Sequence, residues 1–371
     1  MIRMKIKDIC DLQNGRAFKP SDWGTAGLPI IRIQNLNDER APFNYYGGKY
    51  NLAQEVDNGD LLFSWSGTPG TSFGAFLWNR GKGVLNQHIF KVIPKVEVDK
   101  TYLMYALNGN ISTIISKAHG GVGLQHITKK ELDEIEIQMV SISRQKKIVE
   151  ILEKISLLIF LRKQQLAKLD EVVKARFVEM FENVTEENAL ENLCHFIDYR
   201  GKTPEKSDSG LPFITAKNIR MHYMSFDTQE FISKENYDKV MTRGIPKVGD
   251  VVFTTEAPLG NVCRIPQFDT DFYIGQRIIT MQTKLLNPVY LEYALSSDDF
   301  KRKLVGKSSG STVTGIRSKL LGKLTIPVPS KGLQNQFAAF VARVDKQKQT
   351  VQQSLEKLEL MKKALMQEYF G

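Results

Sequence analysis

The chain has 371 residues, of which 42% are hydrophobic and 9% aromatic, enough for two cores of ordinary domain size. The formal net charge of +10 suggests a polyanionic partner, although the charge is spread along the chain without a basic tail. No apolar run approaches the roughly 20 residues that cross a bilayer, and residues 1–5 lack the apolar stretch of a signal peptide. We therefore expect a cytoplasmic protein without membrane contact. The cysteines, Cys10, Cys194 and Cys263, have no metal-ligand spacing and predict neither a zinc site nor a disulfide framework.

Residues 1–140 predict an α+β globular domain. Short runs rich in β-branched and aromatic residues alternate with turns of Gly, Asn and Pro. The predicted strands cover residues 28–33, 60–65, 89–93 and 135–140, and one helix is predicted near residues 102–118.

Residues 144–182 carry a seven-residue apolar repeat, which predicts one long coiled-coil helix. The a positions are apolar throughout, namely Leu152, Ile159, Leu166, Val173 and Met180. The d positions are Ile148, Ile155 and Leu169, together with two cations, Arg162 and Arg176.

The second half repeats this organisation. Strands are predicted at residues 211–216, 250–255, 277–282 and 324–328, with a helix near residues 289–305. Pro327 and Pro329 then end the pattern before a final heptad helix. The d positions of that helix are Phe337, Val344, Val351, Leu358 and Leu365. Its a positions include two cations and read Val341, Lys348, Leu355, Lys362 and Tyr369.

The two halves are copies of one module. Residues 59–63 (Gly-Asp-Leu-Leu-Phe) return as residues 249–253 (Gly-Asp-Val-Val-Phe), and from Ile127 onward matching residues lie 189 positions apart. Because chance similarity does not keep one offset over about fifty residues, we infer a duplication.

The cations of the two heptad helices favour one antiparallel register. When Arg162 faces Leu355, Leu169 faces Lys348 and Arg176 faces Val341, every buried cation meets an apolar side chain along which its stem can lie. A slip of one heptad in either direction sets Arg162 against Lys362 or Lys348, which is unfavourable. We therefore expect an antiparallel coiled coil that holds two repeated domains apart with pseudo-two-fold symmetry.

One part of the first long helix is apolar on nearly every face. Residues 157–161 read Leu-Leu-Ile-Phe-Leu, whereas the matching residues 346–350 read Lys-Gln-Lys-Gln-Thr. A helix that is apolar all round is buried on more than one side, so either a partner subunit docks here or a globular domain of the chain folds back onto it. The residues expected to form the coiled coil and partner interface are Leu152, Ile155, Leu158, Ile159, Phe160, Leu166, Leu169, Val173, Val344, Val351, Leu355, Leu358 and Leu365.

Candidate DNA contacts lie at equivalent places in both copies: a rigid Gly/Pro turn, two strand ends and a Gly-rich loop. Such turns present donors to phosphates, while Asn and Gln suit adenine and Arg and Lys suit guanine in the major groove. The alternative is that they are ordinary surface residues. In the first copy the candidates are Arg16, Lys19, Arg32, Gln34, Asn35, Gln87, His88, Lys117, Gln125 and His126. In the second they are Arg200, Lys202, Thr203, Lys217, Asn218, Gln276, Arg277, Lys307, Ser308 and Arg317.

The sequence contains no catalytic motif that we can assign. The Gly-rich loops lack a Walker lysine, and the segment Asn287–Tyr290 lacks the second proline of a methyltransferase NPP[YF] loop. We therefore expect no catalytic residue, no metal site and no bound cofactor in this chain, and we expect another chain to supply any chemistry.

The whole chain resembles the specificity (S) subunits of type I restriction-modification systems. The most specific match is residues 310–319 (Gly-Ser-Thr-Val-Thr-Gly-Ile-Arg-Ser-Lys), which continue through residues 324–329 (Leu-Thr-Ile-Pro-Val-Pro) to Gln334. Residues 201–204 and 255–260 also resemble turns of that family, whereas the first copy, with residues 118–123 and 140–142, lacks both prolines.

The resemblance implies a non-catalytic subunit with two target-recognition domains, residues 1–142 and 185–330, and two helices, residues 143–184 and 331–371. Each domain would read one half of a split target in double-stranded DNA, with the coiled coil setting the spacing. The helices would dock two methyltransferase (M) subunits, which recruit restriction (R) subunits. S-adenosylmethionine, ATP and Mg²⁺ would serve those partner subunits. A rival interpretation is a coiled-coil scaffold whose two domains bind proteins.

Overall fold

The computed structural model describes residues 2–68, 73–121, 124–308 and 315–371. It forms two compact units, defined as unit 1 (Met1–Lys163 with Gln353–Gly371) and unit 2 (Gln164–Gln352). The boundary falls within both long helices, so each unit contains a piece of each.

The first half of the chain contains strands and short helices before its long helix. Its strands are β1 (Ile2–Lys5), β2 (Cys10–Asn14), β3 (Leu28–Ile31), β4 (Asn44–Tyr46), β5 (Glu55–Val56), β6 (Leu61–Ser64), β7 (Ser66–Gly67), β8 (Gly74–Leu77), β9 (Gly83–Leu85), β10 (Ile89–Pro94), β11 (His119–Gly121), β12 (Leu124–His126) and β13 (Glu136–Met139). Its helices are α1 (Ile6–Ile9), α2 (Ile33–Asn37), α3 (Lys100–Gly109), α4 (Ile111–Ser116), α5 (Lys129–Asp133) and α6 (Ile142–Phe181), with 3₁₀ turns at Pro20–Asp22 and Leu52–Gln54.

The second half follows the same plan. Its strands are β14 (Glu187–Ala189), β15 (His195–Asp198), β16 (Leu211–Ile214), β17 (Ile219–Arg220), β18 (Tyr223–Met224), β19 (Phe231–Ile232), β20 (Val251–Thr254), β21 (Val262–Arg264), β22 (Tyr273–Ile274), β23 (Ile278–Gln282) and β24 (Thr325–Pro327). Its helices are α7 (Leu190–Leu193), α8 (Lys234–Val240), α9 (Pro288–Ser296), α10 (Asp298–Lys307), α11 (Ser318–Gly322) and α12 (Lys331–Phe370).

Each unit is built around an antiparallel four-stranded sheet of the same topology. The strand order is β2-β10-β6-β8 in unit 1 and β15-β23-β20-β21 in unit 2. The central strands β6 and β20 are buried along their whole length, as their continuous apolar runs predict. A Gly-Asp turn precedes both strands, and Gly59 (φ +81°) and Gly249 (φ +87°) adopt the left-handed conformation that the turn requires.

The single helix predicted in each domain is wrong in one respect, because each is split in two. α3 ends before Asn110, and α9 ends before Ser297, whose backbone is extended (φ −63°, ψ 151°). The Ser297 side chain accepts a hydrogen bond from the Phe300 N–H and so begins α10. A residue that favours helix caps has therefore interrupted an otherwise continuous apolar pattern.

Both long helices complete the cores of the units. In unit 1, Ile148 and Leu152 near the start of α6 share a core with Phe370 at the end of α12. In unit 2, Val173 and Phe181 late in α6 share a core with early residues of α12, including Phe337. Ile148, Leu152, Val173 and Phe337 are at heptad positions predicted to be buried. Phe181 and Phe370 lie one position past the a residues Met180 and Tyr369 and are more buried than those residues, which the heptad pattern did not predict.

Within each unit the two long-helix pieces run antiparallel near the predicted register. In unit 2 the Lys348 ammonium lies 2.6 Å from the Asp170 carboxylate, and the Phe181 and Phe337 rings lie 5.5 Å apart. Both pairs are within one residue of the predicted alignment, and a heptad slip would separate them. In unit 1, Lys163 pairs with Glu359 at 2.8 Å. Partial burial, and then the nearby Lys163, lower the pKa of Lys362, as expected for a cation at an inward-facing position.

The apolar segment at 157–161 is not covered by a domain of this chain. Leu157, Leu158, Phe160 and Leu161 are 44–56% exposed. The alternative in which the chain's own globular domain folds back onto them is therefore wrong. Leu158 and Phe160 also lie outside the contact between α6 and α12, unlike the other residues expected there, which are buried or half-buried.

A buried glutamine at the start of each long helix fixes that helix to its domain. The Gln145 side chain accepts a hydrogen bond from the Asp99 N–H (2.9 Å) and donates one to the Val140 carbonyl (2.9 Å). Gln334 makes the matching bonds to Asn287 N–H (2.7 Å) and the Pro329 carbonyl (2.8 Å). Both side chains are 1% exposed. The repeat is therefore preserved at the level of individual hydrogen bonds.

We expect Gln145→Leu to lower the free energy of unfolding by about 1–3 kcal/mol, because it leaves a buried N–H and a buried carbonyl without partners. Gln353→Leu, at an exposed position of α12, is the matched control and should change it by less than about 0.5 kcal/mol. Urea unfolding of the full chain followed by circular dichroism measures both. Equal effects of the two substitutions would contradict the assignment.

Candidate nucleic-acid interface

Four of the predicted contact residues of unit 2 line one cleft of about 250 Å³. Thr203, Lys217, Gln276 and Arg277 come from three separate segments of the chain and meet there. Lys206 lies in the same cleft and was missed, although it follows Thr203 in the same turn. The cleft gathers hydrogen-bond donors and three cations against one carboxylate, that of Glu230, which lies 2.8 Å from the Lys206 ammonium. The net positive charge suits contact with a nucleic acid.

Backbone hydrogen bonds connect the loops next to this cleft. Thr255 N–H donates to the Arg277 carbonyl (2.9 Å), and Ile316 N–H donates to the Thr255 carbonyl (3.0 Å). The Arg200 guanidinium then donates to the Ile316 carbonyl (3.3 Å). These bonds place Arg200, Arg277 and Arg317, all exposed, on one connected set of loops.

Two further side chains orient the arginines of this set. The Glu256 carboxylate lies 3.0 Å from the Arg277 guanidinium, with both side chains about half exposed. Arg243 donates to the carbonyls of Asp198 and Arg200 (2.8 Å each) and so holds the turn that carries Arg200. Arg243 was not predicted from the sequence. The adjacent Gly244 is the residue type that marks such a turn, and it adopts φ +122°.

Unit 1 builds the equivalent loops with the same bonds and different side chains. Trp65 N–H donates to the His88 carbonyl (3.2 Å), and Ile127 N–H donates to the Trp65 carbonyl (3.1 Å). His88 thus occupies the place of Arg277. Its ring lies 5.3 Å from the Trp65 ring, and burial lowers its pKa. At neutral pH this position therefore presents a neutral imidazole in unit 1 and a cation in unit 2.

The remaining strand-end and loop candidates of unit 1 lie around these bonds. Gln87 contacts the His88 ring nitrogen (3.1 Å), and Arg16 N–H donates to the Leu85 carbonyl (2.8 Å). Gln125 and His126 are in β12, which pairs with β7 directly after Trp65. The predicted residues Arg16, Gln87, His88, Gln125 and His126 therefore belong to one neighbourhood.

Both arginines of the first domain's turn and strand end rest on aromatic rings. The Arg16 guanidinium lies 4.8 Å from the centre of the Tyr46 ring and donates to the Tyr46 hydroxyl (2.8 Å). The Arg32 guanidinium lies 5.1 Å from the centre of the Trp23 ring, which is 39% exposed. These rings hold each cation in one orientation. Trp23 and Tyr46 were not predicted from the sequence.

Asn35 and Asn218 must be removed from the set of contacts. They are 2% and 3% exposed. The Asn218 side chain accepts from the Thr215 N–H (2.9 Å) and donates to the carbonyls of Ser225 (3.0 Å) and Thr228 (2.8 Å). Asn35 makes matching bonds to Arg32, Ala41 and Pro42. Their amide groups shape the loops and are not available to bases.

The other candidates lie in loops or in the short helices α2 and α10, and their accessibility varies. Lys19, Gln34, Lys117 and Lys307 are exposed, and Lys202 and Ser308 are half-buried. The Ser308 hydroxyl donates to the Val305 carbonyl (2.9 Å) at the end of α10, which makes it a less accessible donor than predicted. The loop positions 122–123 and 310–314, which carry part of the family resemblance, lie outside the described residues.

Nothing in the described ranges points to a metal or a reactive thiol. No cluster of three or more His, Cys, Asp or Glu side chains in that part of the chain has metal-binding geometry. All three cysteines are buried, which raises each thiol pKa to about 12. Among the helices described, none combines the length and apolarity needed to cross a bilayer.

Two copies of one α+β module, each with polar and basic side chains on connected loops, place the chain among duplicated two-domain proteins whose loops suit contact with DNA. The chain belongs to the type I restriction-modification DNA specificity domain family, whose model matches residues 3–171 and 185–360. This membership makes it a specificity component and not a catalytic one, which confirms the prediction from the sequence.

Curated relatives and solved structures agree with this assignment. The chain is 23% identical over 337 residues to the type I restriction enzyme MjaVIII specificity subunit of Methanocaldococcus jannaschii, covering 84% of this chain and 78% of the relative. It is 22% identical over 385 aligned positions to the EcoBI specificity subunit of Escherichia coli, covering 92% and 79%.

The fold is similar to that of the type I system S subunit from M. genitalium (TM-score 0.55, 16% identity, 100% of this chain and 96% of that one). It is also similar to a chain from a structure that describes complex assembly and conformational transition of the type I R-M system (TM-score 0.62, 15% identity, 100% and 97%).

Substitutions at two adjacent residues, Asn218 and Lys217, distinguish a role in shaping the loop from a role in DNA contact. Asn218→Ala should lower the free energy of unfolding by about 1–3 kcal/mol, since it leaves buried carbonyls and an N–H without partners. Lys217→Ala, at the exposed preceding position, should change the free energy of unfolding by less than about 0.5 kcal/mol. It should weaken binding to duplex DNA. Thermal unfolding and filter binding measure the two effects. A stable Asn218→Ala variant that no longer binds DNA would restore Asn218 as a contact.

Proposed function

We propose that the chain selects the DNA target of a type I restriction-modification complex and supplies none of its chemistry. Residues 1–142 and 185–330 each read one half of a split target, and the helical segments 143–184 and 331–371 set the spacing. The observation that carries this proposal is the pair of equivalent loop sets with unlike side chains, His88 in one and Arg277 in the other. One scaffold with two sets of readers recognises two different short sequences.

The revised contact set follows from the positions of the side chains. In unit 2 it is Arg200, Lys202, Thr203, Lys206, Lys217, Gln276, Arg277, Lys307 and Arg317. In unit 1 it is Arg16, Lys19, Arg32, Gln34, Gln87, His88, Lys117, Gln125 and His126.

The long helices are proposed to dock two methyltransferase subunits, through which restriction subunits join. Those partners would use S-adenosylmethionine, ATP and Mg²⁺, and the complex would act in the cytoplasm. The exposed apolar residues of α6 at 157–161 support the docking, because a monomeric protein rarely leaves such a run in water.

Exchanging one domain should change one half of the target. Replacing residues 1–142 with the corresponding domain of another specificity subunit is expected to alter one half-site of the methylated motif and leave the other unchanged. Replacing residues 185–330 should do the reverse. Methylome sequencing after co-expression with the methyltransferase subunit measures both. An unsplit motif, or coupled changes in both halves, would contradict the proposal.

The salt dependence of DNA binding separates this proposal from a protein-binding scaffold. Phosphate contacts release counterions, so affinity for duplex DNA should fall steeply as salt rises. Arg277→Ala should reduce the logarithmic slope by at most about one unit, because it removes a single cation from the interface. Lys168→Ala, on the exposed face of α6, should leave the slope unchanged. Filter binding between low and physiological salt measures this slope. An affinity for duplex DNA that does not change with salt would favour the protein-binding scaffold.

A further inference from the structure

We infer that the two methyltransferase docking surfaces of this chain are unequal and that the first methyltransferase subunit binds to unit 1. This inference rests on the proposed function and deepens it, since it ranks two sites that the duplication alone would make alike. The relevant surfaces are the outer faces of α6 in unit 1 and of α12 in unit 2, which correspond to each other at an offset of 189 residues.

The outer face of α6 in unit 1 is apolar and exposed. Ile151 is 41% exposed, Leu157 56%, Leu158 44%, Phe160 55% and Leu161 47%. Removing large apolar side chains from water is the main driving force of protein association, so five partly exposed apolar residues on one helix favour the docking of a partner. We define these five residues as the apolar face of α6.

The matching face in unit 2 is polar. Lys346, Gln347, Gln349 and Thr350 stand where unit 1 has four of its exposed apolar residues. The fifth, Phe340, is half-buried against the core of unit 2 and carries the Arg176 guanidinium 5.9 Å from its ring centre. In the described structure, α12 has no exposed large apolar residue between 331 and 352.

The partner piece of α12 extends the apolar face of α6. In an antiparallel pair, the g positions of the two helices line one side of the contact and the e positions line the other. Lys163 and Glu359, both at e, form an ion pair on one side. Ile151, Leu158 and Met361, all at g, therefore share the opposite side, and Met361 is 52% exposed. Both helices of unit 1 thus contribute to a single surface.

Charge favours an acidic partner over a second copy of this chain. Residues 142–163 of α6 contain six lysines and arginines against two glutamates, and residues 331–352 of α12 contain four against one aspartate. Two copies meeting through these faces would bring like charges together. An amphipathic helix of the methyltransferase subunit, apolar along one stripe and rich in Asp and Glu beside it, fits both faces by charge but only unit 1 by apolar contact.

Swapping residues between the copies tests this inference with matched variants. The triple variant L158Q/F160Q/L161T gives α6 the residues that α12 carries at 347, 349 and 350, and Q347L/Q349F/T350L makes the reciprocal change. Native mass spectrometry and sedimentation of the full chain, titrated with the methyltransferase subunit, measure the populations with one and two bound subunits. DNA binding of each variant without methyltransferase serves as the control for folding.

For the wild-type chain we expect the first and second methyltransferase subunits to bind in two steps. Their dissociation constants should differ by about tenfold or more, the ratio that one well-buried apolar side chain provides. The α6 variant should lose the tight step, and the reciprocal variant should tighten the weak one. Two equal steps in the wild type, or an unchanged tight step in the α6 variant, would overturn the inference. Dimerisation of the chain alone through these residues would overturn the choice of partner. A wild-type chain that binds DNA but no methyltransferase would instead reject the proposed docking.

Discussion

The fold depends on the packing of both long helices into the core of each unit. Phe370 from the end of α12 lies in the core that Ile148 and Leu152 of α6 complete, and Phe337 from the start of α12 lies in the core that contains Phe181. Neither domain's core is therefore closed by its own continuous sequence. Because Gln145 and Gln334 also fix each helix start to the adjacent α3 or α9, the helices are structural parts of the domains and not linkers between them.

Much of this organisation could be predicted from the sequence, because it follows from periodicity. The heptad rows identified which faces of α6 and α12 are buried, and the positions of Arg162, Arg176, Lys348 and Lys362 identified their register. The duplication predicted equivalent strands, and the structure preserves it in matching bonds at Trp65 and Thr255. Charges at inward-facing positions carry this information because each alternative alignment has an identifiable electrostatic cost.

The incorrect predictions concern residues whose side-chain chemistry suits two different roles. An amide that can pair with adenine can equally cap a loop, as the amides of Asn35 and Asn218 do, and composition does not distinguish these uses. Tyr46 and Arg243 were missed because their roles depend on contacts with residues 30 and 45 positions away in the chain. Trp23 is close in sequence to Arg32 and Lys206 is close to Thr203, but no spacing or motif marks either residue. The apolar run at 157–161 is unusual in the sequence, but only its exposure in the fold excludes the chain's own domain as its cover.

The loop bonds around Thr255 and Arg277 have a consequence for how such a protein changes over time. Main-chain groups and buried amides hold these loops in place, so their conformation depends little on the side chains that point outward. His88 and Arg277 occupy the same place on the same frame with different charge and shape. Rim side chains can accordingly be substituted without rebuilding the interior. If these side chains read DNA as proposed, the recognised sequence can diversify while the architecture persists.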